Sequence, residues 1–91
     1  MALVTGARRG IGRAIAWKLA DAGYDVVIND VVDDEATATA AEGVAARGRQ
    51  VAVLIHDIAD VAGHADFVAR AFSAFGTIDC LVNNAGVQVA V

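Results

Sequence analysis

Ninety-one residues make one small domain or part of one. The apolar fraction of 57% exceeds what a unit of this size easily covers, which predicts a piece of something larger. The net charge of −4 comes without a basic stripe, which argues against nucleic acid. No apolar run reaches the length of a membrane span, no charged leader with a cleavage site precedes the first apolar run, and the single cysteine, Cys80, excludes an internal disulfide and suits a reducing cytoplasm.

Ala2 to Thr5 reads as a first strand. Thr5-Gly6-Ala7-Arg8-Arg9-Gly10-Ile11-Gly12 follows, a glycine-rich turn that opens a helix over Gly10 to Ala22. Ile11, Ile15 and Leu19, with Ala14 and Ala22, predict the apolar stripe of that helix, and Gly23 its end. Trp17 lies off the stripe and reads as a packing residue. Tyr24 to Asp30 reads as a second strand, whose consecutive Val26, Val27 and Ile28 fit burial on both faces. Asp33 or Asp34 can cap a second helix running to Arg47, with Gly48 after it.

Gln50 to His56 reads as the third strand. Asp60 can cap a third helix, on which His64, Phe67, Val68, Ala71, Phe72 and Phe75 form an apolar face ending at Gly76. Ile78 to Val82 reads as the fourth strand, with Cys80 as a buried thiol, followed by Asn83-Asn84-Ala85-Gly86. His56 and His64 read as structural, because neither has partners at metal-ligand spacing.

Strands alternating with helices predict an α/β fold: a Rossmann-type, doubly wound parallel sheet, β-α-β-α-β-α-β, in strand order 3-2-1-4. Ligands of such sheets bind beyond the carboxyl ends of the strands, where the order reverses. The glycine turn and the Asn83–Gly86 segment both fall there. The spacing Gly6-x-x-x-Gly10-x-Gly12 differs from the common G-x-G-x-x-G fingerprint but supplies the same physics. Glycines let backbone approach a ligand closely, and the helix start offers N–H groups and a positive dipole end to a pyrophosphate.

Thr5-Gly6-x-x-x-Gly10-Ile11-Gly12 together with Asn83-Asn84-Ala85-Gly86 resembles the classical short-chain dehydrogenase/reductase family across all 91 residues. The chain is similar to 3-oxoacyl-[acyl-carrier-protein] reductases and equally to sugar, steroid and polyol dehydrogenases. With the local physics, this resemblance implies that Gly6, Gly10 and Gly12 form the turn and that Arg8, Arg9 and Ile11 line the phosphate side of a coenzyme. Asp30, with Val31 after it, would accept hydrogen bonds from ribose hydroxyls and repel a 2′-phosphate, which favours NAD over NADP. Arg9 points the other way, since a basic residue before the second glycine often accompanies NADP use in the family. Asp57 would bond the adenine amino group and Ile58 would pack by the ring. Asn84, Ala85 and Gly86 would run beside the nicotinamide ribose, supported by Asn83.

The resemblance implies hydride transfer between a nicotinamide coenzyme and a small-molecule carbonyl or alcohol, in a cytoplasmic enzyme that forms dimers or tetramers. The family's catalytic Ser and Tyr-x-x-x-Lys have no counterpart here: Ser73, Tyr24 and Lys18 are the sole residues of their types and stand at the wrong places. Residues 1–91 therefore read as the dinucleotide-binding portion of an incomplete domain, with the catalytic residues beyond it. The alternative is a non-catalytic dinucleotide-binding module. A methyltransferase binding S-adenosylmethionine is disfavoured by the phosphate-adapted turn.

Overall fold

The computed structural model describes residues 1–84. β1 (Ala2–Thr5), α1 (Gly10–Asp21), β2 (Val26–Asp30), α2 (Glu35–Ala46), β3 (Val51–Ile55), α3 (His64–Phe75) and β4 (Cys80–Asn83) alternate along the chain. The strands form one parallel, Rossmann-like sheet in the order β3-β2-β1-β4, as expected. The strands at Tyr24, Gln50, His56 and Ile78 are shorter than the sequence predicts, and β4 extends one residue further, to Asn83. Among the described residues no helix is long and apolar enough to cross a membrane.

The two inner strands carry the fold. Residues 2–4 of β1 and 26–28 of β2 are almost wholly inaccessible, because helices cover both faces of the sheet. Side chains alternate across a strand, so each contributes to two cores. Val4, Val26 and Ile28 pack on Ala16 and Ala20 of α1 and Ala40 and Val44 of α2. Leu3 and Val27 face the other way, with Met1, onto Phe67 and Ala71 of α3.

The face that α1 buries differs from the expected stripe. Gly12, Ala16 and Ala20 are its buried residues, whereas Ile11 is 75% exposed and Ala14 and Ala22 are also exposed. Small side chains win the inward face because they let the helix axis approach the sheet closely, which restores contacts that a bulkier face would forfeit. The α3 face is likewise narrower than expected. Phe67 and Ala71 are buried, with Ala74 and Phe75 packed partly against the same cluster, while Val68 and Phe72 are 43% and 45% exposed on the outer side.

Two capping expectations separate. Asp34 caps α2 with a full capping box: its carboxylate accepts from the N–H groups of Ala36 and Thr37, and the Thr37 hydroxyl accepts from Asp34 N–H. Asp60 does not cap α3. It precedes a single 3-10 turn at Val61–Gly63 and makes no side-chain cap bond, and α3 begins only at His64. Cys80 is half-buried in β4, in place of the full burial expected.

Trp17 joins α1 to α2. Its indole N–H donates to the Ala40 carbonyl at 2.9 Å, and Arg13 and Arg47 lie over its ring at 4.9 and 4.8 Å. Gly43 makes room for it, since a Cβ there would lie 2.2 Å from the indole. In the full-length protein, Gly43→Val should therefore lose about 1–3 kcal/mol of stability in urea denaturation and shift the Trp17 near-ultraviolet signal, because overpacking outweighs the few tenths that valine gains over glycine in helix propensity. Unchanged stability would show that the indole has room to move.

Candidate functional site

A cavity of about 830 Å³ opens beyond the carboxyl ends of β1, β2 and β3, beside the end of β4. Gly6, Arg8, Arg9, Gly10 and Ile11 line it from the β1–α1 loop, Asp30 and Val31 from the end of β2, Asp57 and Ile58 from the loop after β3, and Asn84 from beyond β4. These residues include nearly all those selected from the sequence. Gly12 lies just behind the loop, and Ala85 and Gly86 lie outside the described residues.

The glycines act in two ways. Gly6 and Gly10 have φ of +64° and +63°, the left-handed region that side chains rarely adopt. Gly12 is helical, and its role is contact. A Cβ on it would lie 2.0 Å from the Gly6 carbonyl oxygen and 2.7 Å from Asn84 Nδ2. The helix can begin this close to the strand only because that atom is missing. Asn84 Nδ2 donates to the same Gly6 carbonyl at 3.1 Å, and the Thr5 hydroxyl lies 3.3 Å from Asn83 Oδ1. Both asparagines thus tie the end of β4 to the glycine turn.

The starts of α1 and α2 contrast, and α3 like α1 has no side-chain cap. α2 is capped by Asp34, whereas the residue ahead of α1, Arg9, is extended and makes no side-chain cap bond. The first-turn N–H groups of α1 have no intrahelical acceptor by the geometry of a helix, and Gly10 and Ile11 place that end on the cavity. An anion suits it.

Asp30 is held by backbone. One carboxylate oxygen accepts from Arg8 N–H at 3.1 Å and the other from Val31 N–H at 2.8 Å. Further acceptor lone pairs remain on the same two oxygens. Arg8 turns its guanidinium to this side of the loop. Nη1 lies 2.7 Å from Asp34 Oδ2, and Nε lies 3.8 Å from Asp30 Oδ1 without a hydrogen bond. Arg9 is exposed. The Asp34 carboxyl is held below its ordinary value of 3.8, first by the Thr37 N–H, against desolvation, with the Arg8 charge, the Ala36 N–H and the Thr37 hydroxyl adding to the effect.

Asp57 accepts from Ala59 N–H at 2.9 Å, closing a small turn on the cavity rim. His56 and His64 are packing groups. His56 stacks on Phe67 with centroids 4.7 Å apart and meets the His64 ring edge-on at 5.3 Å, and His64 Nε2 lies 2.6 Å from the Ile58 carbonyl. Sequence reasoning passed over Asn29. It is 1% exposed, lines the cavity, donates from Nδ2 to the Leu54 and His56 carbonyls at 3.0 and 3.1 Å, and its backbone carbonyl accepts from Ala7 N–H. It therefore joins the ends of β1, β2 and β3. The available signal was an amide inside an otherwise apolar strand.

Two outcomes test this geometry. Gly12→Ala should lose about 1–3 kcal/mol in urea denaturation although alanine favours helices by about 1 kcal/mol, because the obstructing atom is backbone. A stabilised variant would show that the turn is not closely packed. Because the Asp34 pKa is lower in the folded chain, its charge stabilises the fold above its unfolded value and that stabilisation is lost as pH falls through the folded value. The stability gap between wild type and Asp34→Asn should therefore hold near neutral pH and shrink as the pH falls below 3.8. A constant gap would show that the charge of Asp34 does not contribute.

Comparisons with known proteins bear on the family and the fold. The family model for short chain dehydrogenase matches residues 1–91. The chain is 42% identical over 87 residues to 2-dehydro-3-deoxy-D-gluconate 5-dehydrogenase of Dickeya dadantii, covering 96% of this chain and 33% of the relative. It is 41% identical over 86 residues to the 3-oxoacyl-[acyl-carrier-protein] reductase FabG of Staphylococcus aureus, covering 94% and 35%. The crystal structure of 3-oxoacyl-[acyl-carrier protein] reductase from Brucella melitensis in complex with NAD superposes with a TM-score of 0.84 at 47% identity, covering 91% of this chain and 32% of that one. The chain spans about a third of the length of these relatives. With its parallel sheet, its glycine turn and a family match over residues 1–91, the chain belongs to the short-chain dehydrogenase/reductase family.

Proposed function

We propose that this chain is the dinucleotide-binding portion of an NAD(P)-dependent oxidoreductase, acting on a small-molecule carbonyl or alcohol. One observation carries the reading: the uncapped start of α1 and the backbone-held Asp30 face the same cavity, where the strand order reverses. A coenzyme would present a diphosphate and a ribose diol, and these two features offer donors for the first and acceptors for the second. Bound there, the nicotinamide supplies or accepts the hydride.

In this reading, the N–H groups of α1's first turn hold the diphosphate, with Arg9 and Ile11 beside it. Asp30 accepts from the adenosine ribose hydroxyls, and Val31 lies at the adenine edge. Asp57 and Ile58 bound the adenine. Asn84 supports the nicotinamide ribose, and Ala85 and Gly86 continue that wall. NAD is the coenzyme favoured, because a 2′-phosphate would meet the Asp30 carboxylate. We place the complete enzyme in the cytoplasm as a dimer or tetramer, from what members of the family do. The relatives carry dehydrogenase and reductase names, which favours this reading over a non-catalytic module.

The test is calorimetric titration of the full-length protein with NADH and NADPH, followed by turnover with a panel of ketones and alcohols. NADH should bind more tightly. Asp30→Ala should weaken NADH by about 1.5–3 kcal/mol, roughly ten- to a hundredfold, and erase most of the preference over NADPH. Binding of neither coenzyme would overturn the proposal. Equal losses for both would remove Asp30 from the ribose.

A further inference from the structure

The Arg8 guanidinium makes a single hydrogen bond, and it goes to Asp34, among the described residues. Asp30 is nearer the cavity, yet it stands 3.8 Å from Arg8 Nε, and that nitrogen is buried without a hydrogen-bond partner. The position of the cation is thus set by the cap of the next helix. Asp34 does both tasks with different atoms. Oδ1 accepts from Ala36 and Thr37 N–H, and Oδ2 takes Arg8 Nη1. The cap fixes the carboxylate, and the carboxylate fixes the arginine.

Arg8 lines the cavity beside the carboxylate that would meet the ribose. A free guanidinium at that place would offer a 2′-phosphate several donors and a full positive charge. Held by Asp34, it has part of its fork occupied and its charge matched. Arg8, Asp30 and Asp34 together carry a net charge of −1.

We infer that Asp34 is a positioning residue for coenzyme choice: by gripping Arg8 it withholds that cation from a ribose 2′-phosphate, so that two carboxylates, not one, set the preference for NAD. This rests on the coenzyme reading above. It adds to that reading a residue that does not touch the coenzyme.

The experiment is a double-mutant cycle in the full-length protein, read as the ratio of NADPH to NADH dissociation constants from calorimetry. Asp34→Ser removes the carboxylate and keeps a good helix cap. It should lower the ratio by about three- to tenfold, the size of a partly exposed charged pair. On an Arg8→Ala background the same substitution should move the ratio less than about twofold, since only the general field then changes. An equal shift on both backgrounds, or none on either while wild type binds NADH, would overturn the role of Asp34 and leave the coenzyme reading intact. Failure of wild type to bind either coenzyme would overturn both. Should Asp34→Ser fold poorly, Asp34→Asn removes the charge with the cap acceptor preserved, and the same shift is expected.

Discussion

The site depends on one close approach of backbone to backbone. α1 begins against the Gly6 carbonyl, at a distance that excludes even a methyl group at position 12. That contact fixes where the helix starts and therefore where its unpaired N–H groups point. The same carbonyl receives the Asn84 amide, so the end of β4 is referenced to the same atom. Two loops far apart in sequence are thus aligned by one oxygen, and the cavity between them takes its shape from that alignment.

The sheet supplies the rigidity that this alignment needs. β1 and β2 are enclosed on both faces, and successive residues serve opposite cores, so a shift of one strand would disturb both layers. Small residues on α1 and α2 bring those helices close on one side, and Phe67 fills the other. At the strand ends, Asn29 replaces an apolar residue and binds two carbonyls of the β3 terminus. The Nδ2 of that amide is satisfied by the two carbonyls and so fixes the relative height of the loops above it, while its Oδ1 is buried without a partner among the described residues.

Much of this was legible in the sequence. Consecutive β-branched residues, helical spacing and glycine punctuation gave the elements and the strand order, because the inner strands of a parallel sheet have few alternatives. The glycine turn and the carboxylate that ends β2 were legible because their chemistry is local. Other features were hidden for identifiable reasons. Ile11, Ile15 and Leu19 outweigh Gly12, Ala16 and Ala20 on any hydropathy scale, yet closeness of packing favours the smaller set. Asp60 has the right chemistry for a cap, but a 3-10 turn intervenes and Gly63 precedes the helix. The pairing of Arg8 with Asp34 spans 26 residues and follows only from the way two loops meet above the sheet.

The indole of Trp17 reaches beyond its own helix. It is bonded to the Ala40 carbonyl and flanked by Arg13 and Arg47, and Arg47 also pairs with Asp21 at 3.1 Å. α1 and α2 are therefore riveted together on the outside of the sheet. The loop preceding each helix contributes one wall of the cavity, so the indole contact sets the spacing of those two walls. Walls held at a set spacing lower the ordering cost that any ligand of such a groove has to meet.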